Sequence, residues 1–280
     1  MSIIVLPGRN QYSALATPWG DAFKDAIVHD LLAVMGDVRL LMLYGISDTT
    51  TTTDLSLNAR TITHDSDLSS ELFAINSGTG LFRQHNGTTG ESDMPDTANL
   101  SFGNSTVDEP FTILALVNPD TAAPAADMEI AAKWDRDTDG EYREYRCLVT
   151  GTNGYPRVEL YDESANAYIG REDQTAVTAA TWVLLGFHYN GTSANAGIDI
   201  TKNAALVDDA NSSSGTYVAM EDTATKLAIA HSLSAAVTPV ATNFWDGGIA
   251  FIGVCQGNLS VAETWAVKSI LKSYFNLPLL

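Results

Sequence analysis

Residues 129–149 read EIAAKWDRDTDGEYREYRCLV, and this stretch decides the fold class. In its second half every other side chain is apolar, with Tyr145, Cys147 and Val149 on one face and charged residues between them. A period of two residues is typical of a β-strand that is buried on one side. Asp139-Gly140 is a preferred hairpin-turn dipeptide. The stretch therefore predicts two antiparallel strands joined by a tight turn.

The turn region also resembles the first half of a calcium loop, because Asp135, Asp137 and Asp139 alternate directly before Gly140. An EF-hand requires a bidentate glutamate at the twelfth position of the loop. Counted from Asp135, that position is Arg146, whose positive charge excludes an EF-hand. A calcium ion held by the loop carboxylates and backbone carbonyls stays open as an alternative, and the sequence predicts no other cofactor.

The rest of the chain repeats the pattern of short apolar runs separated by Gly, Asn, Asp, Thr and Ser. The run FTILALVNP, residues 111–119, is apolar on both faces, which predicts a strand inside a sheet that is covered on both sides. Short strands with turn-rich connections indicate an all-β, antiparallel sandwich of the jelly-roll type. The other predicted strands are 157–162, 182–189, 197–201, 226–231 and 247–256.

A helix is predicted near each end of the chain. Thr17-Pro18 marks the start of the first helix and Gly36 its end, with an extended arm before it. This helix carries one apolar stripe, formed by Phe23, Ile27, Leu31 and Val34. We therefore divide the chain into an amino-terminal arm and amphipathic helix, residues 1–45, and a sandwich domain, residues 46–280.

The carboxy-terminal helix begins at a predicted capping box, in which the side chains of Ser260 and Glu263 satisfy each other's backbone N–H groups. Its docking face is predicted from four apolar side chains. These are Trp265, Ile270, Leu271 and Tyr274.

Charge and composition exclude several classes of function. The 280 residues include 34 acidic and only 15 basic side chains, a formal net charge of −19, so a nucleic-acid partner is not expected. No window is apolar enough for a membrane span, and the first residues lack the basic and apolar regions of a signal peptide. Cys147 and Cys255 fall at apolar strand positions and are expected to be core thiols, although a disulfide between them stays open.

No catalytic motif is present in the sequence. The five histidines are isolated from each other, and we find no nucleophile elbow, phosphate loop or dinucleotide fingerprint. Among the aromatic residues, Trp134 and Trp245 are the candidates for stacking on a glycan. For any single one of them burial in the core is the favoured interpretation, since large aromatic side chains are mostly buried.

Four blocks of the sequence resemble a known family in their order. They are MPDTANLSFGNSTVDEPFTILALVNPD, then EIAAKWD with REYRCLVTGTNGYPRVELYD, then TWVLLGFHYNGT with AGIDITKNAALVDD, and finally FWDGGIAFIGVCQGNLSVAETWAVKSIL. This order is similar to that of a laminin-G-like domain of the concanavalin A-like lectin/glucanase superfamily, over about residues 55 to 280.

The resemblance implies a range of functions, since members of this kind bind glycans, hydrolyse them, bind proteins or do none of these. The hydrolases carry a Glu-x-Asp-x-x-Glu strand motif, which this chain lacks, so a glycoside hydrolase is disfavoured and no catalytic residue is assigned. The chain also resembles laminin-G-like virion proteins of tailed bacteriophages. We therefore predict a non-catalytic structural, decoration or attachment protein of a phage virion, made in the host cytoplasm.

The alternative function is a lectin-like module that binds glycans of a host surface. In the virion prediction the partners are other virion proteins or copies of the chain itself, with a trimer as the expected oligomer. The amino-terminal stripe, Phe23, Ile27, Leu31 and Val34, then has two interpretations. It contacts such a partner, or it covers an open face of its own sandwich.

Overall fold

The computed structural model describes residues 21–43, 51–64, 69–75, 78–137, 140–207, 210–234 and 240–275. The two α-helices are α1 (Asp21–Met35) and α2 (Val261–Phe275). The strands are β1 (Asp37–Leu43), β2 (Thr51–Thr53), β3 (Thr61–His64), β4 (Ser69–Ile75), β5 (Gly78–Asn86), β6 (Ser92–Met94), β7 (Phe111–Pro119), β8 (Met128–Asp137), β9 (Gly140–Val149), β10 (Pro156–Asp162), β11 (Ala167–Glu172), β12 (Val183–Tyr189), β13 (Ile198–Lys202), β14 (Ala205–Leu206), β15 (Ala210–Ser214), β16 (Leu227–Ile229), β17 (Ser232–Leu233), β18 (Ala241–Thr242) and β19 (Asp246–Gln256).

The strands form two sheets packed face to face. Sheet A has the order β14-β13-β12-β7-β19-β5-β4, and β1 also pairs with β19. Sheet B has the order β15-β11-β10-β9-β8-β16-β6-β3-β2, with β17 and β18 attached beside β8. The described pairings are antiparallel apart from a single parallel bridge between β17 and β8. The predicted antiparallel β-sandwich is confirmed.

The hairpin predicted around Asp139-Gly140 is present. Strands β8 and β9 pair from Asp137 and Gly140 at the turn to Met128 and Val149 at the far end. Two register shifts along this ladder rotate the side chains of β8 and β9. The two turn residues between these strands lie outside the described ranges, and the calcium site stays a prediction.

Strand β7 is buried on both faces, as its continuous apolar sequence predicts. Its odd-numbered side chains, such as Ile113 and Val117, lie in the cluster between the two sheets. Leu114 and Leu116 point the other way, into a second cluster beneath the helices. Sheet A is therefore the middle layer of a three-layer arrangement of helices, sheet A and sheet B.

Helix α1 packs on the outer face of sheet A and beside α2. It ends at Gly36, whose φ of 74° lies in the left-handed region that favours glycine, as predicted. Of the stripe residues, Ile27 and Leu31 are buried in the cluster under the helices, and Val34 is half-buried against it. Phe23 belongs to α1, but its side chain is outside the described part, as is the predicted helix start at Thr17-Pro18. The described stripe thus covers the chain's own sheet.

Helix α2 begins with the predicted capping box: the Glu263 carboxylate accepts a hydrogen bond from the Ser260 backbone N–H at 2.8 Å, and Ser260 Oγ accepts one from the Glu263 N–H at 3.3 Å. The predicted docking face is wrong in part, because Trp265 is 60% exposed. Ile270 and Tyr274 are only partly buried against the sheet. The helix is rotated so that a different set of side chains is buried: Thr264, Val267, Leu271 and Phe275.

Strand β1 lies on the amino-terminal side of the predicted boundary between residues 45 and 46, yet it is part of sheet A. It is hydrogen-bonded to β19, with Leu40 and Met42 in the inter-sheet cluster and Leu41 and Leu43 under the helices. The division of the chain into two domains itself stays a prediction. No helix among the described residues is long and apolar enough to cross a membrane.

Both cysteines are buried and unpaired, as core thiols should be. Cys147 belongs to the inter-sheet cluster and Cys255 to the cluster under the helices, so they face different layers. Burial raises the pKa of the Cys147 thiol well above its usual value and that of Cys255 to about 12.

Candidate ligand-binding site

Trp245, one of the two predicted glycan contacts, lies inside the sandwich. Its side chain is fully buried in the inter-sheet cluster. Its backbone N–H donates to the Ala230 carbonyl at 2.8 Å, and its carbonyl accepts from the Gly87 N–H. A ligand at the protein surface cannot contact this ring. Trp245 is therefore a core residue in this fold.

Trp134, the other predicted contact, lies in a row of aromatic rings on the outer face of sheet B. Its ring centroid is 5.4 Å from that of Tyr161, and the Tyr161 ring stacks on Tyr168 at 6.5 Å. These three residues, hereafter the aromatic row, come from β8, β10 and β11. Only Tyr168 is more than slightly exposed, since Trp134 and Tyr161 are each 6% exposed.

Guanidinium groups of β9 cover the aromatic row. The Arg143 guanidinium carbon lies 3.6 Å from the Tyr161 ring centroid, and that of Arg146 lies 4.6 Å from the Trp134 ring centroid. The Arg143 guanidinium in turn donates two hydrogen bonds to Glu163, at 2.9 and 2.8 Å. Stacked and bidentate contacts of this kind hold the strands of sheet B together. The ring faces that a sugar would need are already occupied.

Glu129 lies under Arg146 and is fully buried. Arg146 donates to Glu129 at 3.2 Å and to Glu159 at 2.7 Å. Burial is the main cause that raises the pKa of Glu129 to about 7, and the nearby Asp127 and Glu159 raise it as well, while Arg146 opposes them. Glu129 therefore titrates near neutral pH in the folded protein.

This raised pKa predicts a pH-dependent stability. The pKa of Glu129 is higher in the folded chain, so the free energy of unfolding should fall as pH rises from 4.5 to about 7 and then level off. A shift of this size corresponds to about 3 kcal/mol. Glu129→Gln should remove that fall, which urea unfolding at several pH values between 4 and 8 measures. The exposed Glu109→Gln serves as the control and should keep the wild-type profile; identical profiles for all three proteins would contradict the prediction.

A cleft lies between the end of α1, the start of β1 and the loop before β3. Its volume is about 450 Å³, within the range of small-molecule sites. The space beside the Gly36 backbone is open, because a Cβ at that position would have no neighbour within 4 Å. The lining residues, hereafter the cleft, are His29, Leu32, Ala33, Gly36, Asp37, Val38, Arg39, Leu57, Asn58 and Asn99.

Arg39 is the one arginine that lines the cleft. Its Nη2 donates to Asp37 Oδ2 at 2.8 Å and to the side-chain oxygen of Gln256, which fixes the guanidinium plane. Arg39 Nε is buried without a hydrogen-bond partner. A buried N–H group without a partner carries a free-energy cost that a ligand acceptor would remove.

Exposed amides and an apolar side chain surround this guanidinium. Asn58 Nδ2 donates to the Arg39 carbonyl at 3.2 Å, and Asn99 Nδ2 lies 3.4 Å from Asn58 Oδ1. Leu57 is 74% exposed beside them. The cleft therefore offers donors, acceptors and an apolar patch to one small ligand.

The cleft has no signature in the sequence, because its residues come from α1, β1 and two separate loops. None of them belongs to a motif, and Asn58 and Asn99 resemble ordinary loop residues. The one local signal is Leu57, a large apolar residue within a polar segment. Hydrogen bonds between β1 and the loop before β3, such as the one from the Leu55 N–H to the Leu41 carbonyl at 2.8 Å, place Arg39 beside that loop.

No family model and no curated protein sequence matches this chain. Solved structures with a similar fold include the binding domain of Paraclostridial Mosquitocidal Protein 1, at 11% identity and a TM-score of 0.55, over 87% of this chain and 53% of that one. A botulinum neurotoxin type C structure, a toxin whose cell entry depends on two ganglioside molecules, matches at 11% identity and a TM-score of 0.55, over 86% and 53%. The chain spans about half the length of these two toxin chains.

Domain 4 of AbnA, an extracellular arabinanase of Geobacillus stearothermophilus in complex with arabinotriose, matches at 11% identity and a TM-score of 0.54. This match covers 83% of our chain and 98% of that domain. Likeness at this level of identity concerns the fold, not the site. The chain thus has the β-sandwich fold of known binding domains.

Proposed function

We propose that this chain is a non-catalytic glycan-binding module and that the saccharide binds in the cleft. The observation that carries the proposal is the buried Nε of Arg39, which has no hydrogen-bond partner and belongs to a residue that lines a cleft of about 450 Å³. A sugar ring presents hydroxyl groups at its edge and C–H groups on its faces. The amides of Asn58 and Asn99 suit the hydroxyl groups, and Leu57 suits an apolar face.

The similar structures support this function over a structural one. Among them are a domain in complex with arabinotriose, a toxin binding domain and a toxin that interacts with gangliosides. Their sites are not transferred to this chain, because identities of 11% concern the fold. The structural or attachment role in a phage virion stays a prediction from the resemblance, as does a trimer, and purification with viral particles would test it.

The proposal is tested by glycan-array screening of the purified chain, followed by calorimetric titration with arabinotriose and with a ganglioside oligosaccharide. The double variant Asn58→Ala, Asn99→Ala changes exposed side chains and should leave the fold intact. Arg39→Gln removes the charged donor. Arg39→Gln should weaken binding of the selected glycan about 10-fold or more, since a hydrogen bond to a charged group contributes about 1.5–3 kcal/mol. The double variant should weaken it by a similar factor, since two hydrogen bonds to neutral amides contribute about 0.5–1.5 kcal/mol each.

Tyr168→Ala, in the aromatic row, is the matched control and should retain wild-type affinity. If Tyr168→Ala weakens binding and the cleft variants do not, the site lies on the aromatic row instead of in the cleft. Failure of the wild-type chain to bind any glycan on the array would refute the proposed function.

A further inference from the structure

Three side chains on or beside the neighbouring strands β6 and β16 of sheet B place potential metal ligands together. One ligand atom each from Glu91, Asp93 and His231 lies within 4.8 Å of the other two, and this is the one such group found among the described residues. Asp93 is in β6, Glu91 directly precedes that strand, and His231 connects β16 to β17. Because β6 and β16 are paired neighbours, with Asp93 opposite Ala228, the backbone fixes this arrangement.

His231 directs its Nε2 atom into the group, toward Asp93. The side chain is fully buried, and its Nδ1 lies 3.2 Å from the Ile229 carbonyl oxygen. A carbonyl oxygen only accepts, so Nδ1 carries the hydrogen, and in the neutral ring Nε2 presents a lone pair. Nε2 has no hydrogen-bond partner, and it lies 3.3 Å from Asp93 Oδ1.

Asp93 Oδ1 is also buried without a hydrogen-bond partner. Its other oxygen, Oδ2, accepts from Lys226 Nζ at 2.5 Å, which orients the carboxylate. Two lone-pair atoms, His231 Nε2 and Asp93 Oδ1, therefore face each other across 3.3 Å in a buried place. A proton or a cation between them would remove this repulsion.

The separation fits a metal ion. Zinc binds histidine nitrogen and carboxylate oxygen at roughly 2.0–2.2 Å, so two ligands at a tetrahedral angle are about 3.4 Å apart. The hydrogen bond from Nδ1 to a carbonyl is the usual outer contact of a metal-bound histidine. One nitrogen with two carboxylates favours a first-row transition ion, whereas calcium and magnesium prefer oxygen alone.

We propose that Glu91, Asp93 and His231 bind one divalent transition-metal ion, with zinc as the probe. Glu91 is only partly buried, so the ion can enter from solvent on that side. The net charge of −19 favours the approach of cations. This site is independent of the cleft and of glycan binding.

The full-length chain, first dialysed against a chelator, is titrated with zinc chloride in a calorimeter and melted with and without zinc. We expect one zinc ion per chain and a melting temperature that rises with zinc and returns when chelator is added. Calcium chloride, titrated in parallel, should produce no binding heat that depends on Glu91, Asp93 or His231. A calcium response that Asp137→Asn removes would instead belong to the β8–β9 loop.

Variants assign the ion to its ligands. His231→Gln and Glu91→Gln should each weaken zinc binding at least 10-fold; Glu91→Gln alters a partly exposed side chain and keeps the test valid if the buried variant does not fold. His188→Gln is the matched control, because His188 is a buried histidine in sheet A whose Nε2 pairs with Thr201 at 3.0 Å, and it should keep full zinc affinity. No stoichiometric zinc binding by the wild-type chain, or equal zinc affinity in Glu91→Gln, would overturn the proposed site.

Discussion

Leu31→Ala should lower the free energy of unfolding by about 2–5 kcal/mol, the usual cost of truncating a buried leucine. Leu31 is fully buried between α1 and the outer face of sheet A, in the same cluster as Leu116 and Leu271. The substitution removes apolar contacts and leaves a cavity that the packed helices close only in part. Urea unfolding of the isolated chain measures the change.

Asp30→Ala is the matched control, because its side chain is 63% exposed on the same helix. It should change stability by less than about 0.5 kcal/mol, as surface substitutions usually do. This pair also separates the two interpretations of the stripe. If Leu31 contacted another virion protein and not its own sheet, the isolated Leu31→Ala chain would be as stable as the Asp30→Ala chain.

Lys133→Met should lower the free energy of unfolding by about 3–5 kcal/mol, because it leaves a buried charge without its partner. Lys133 Nζ is fully buried, 2.9 Å from Glu144 Oε1 and 2.8 Å from Asp96 Oδ1. Glu144 is itself buried, which raises its pKa, while Lys133 and Thr223 oppose that rise. Without the ammonium group, the Glu144 carboxyl group is buried in the folded chain either as an isolated anion or as a protonated acid.

The double variant Lys133→Met, Glu144→Gln tests this reason. It removes both charges, and Gln keeps an oxygen acceptor for the Thr223 N–H, which donates to Glu144 at 2.8 Å. We expect it to be more stable than Lys133→Met alone. Arg157→Gln, in a partly exposed pair with Glu172, should have an effect of about 1 kcal/mol or less. A double variant no more stable than the single one would mean that lost packing, not charge, causes the effect.

Local patterns in the sequence predicted the sandwich because they depend only on neighbouring residues. Alternation around Tyr145 and the dipeptide Asp139-Gly140 predicted the β8–β9 pair, and the continuous apolar run of β7 predicted cover on both faces. The orientation of α2 was not predicted correctly, since its sequence allows two overlapping apolar faces. The shape of the underlying sheet, to which Leu114 and Leu116 contribute, selects the face with Val267 and leaves Trp265 exposed.

The candidate sites depend on long-range pairing, which one sequence does not reveal. Glu91 and Asp93 are spaced to point to the same side of a strand, but His231 joins them only through the pairing of β6 with β16. The histidines therefore looked isolated. Trp134 and Trp245 could not be told apart in the sequence, because exposure of a tryptophan depends on what the fold places above it, such as Arg146 over Trp134.

The burial of both native thiols has a practical use. A thiol reacts with maleimide or disulfide reagents as the thiolate. Cys147 and Cys255 are both buried, and burial raises the pKa of each thiol. A cysteine introduced at Asn58 would therefore be the single site that accepts a fluorescent dye. The chain needs no prior removal of its own sulfhydryls, and the dye would report occupancy of the neighbouring cleft directly.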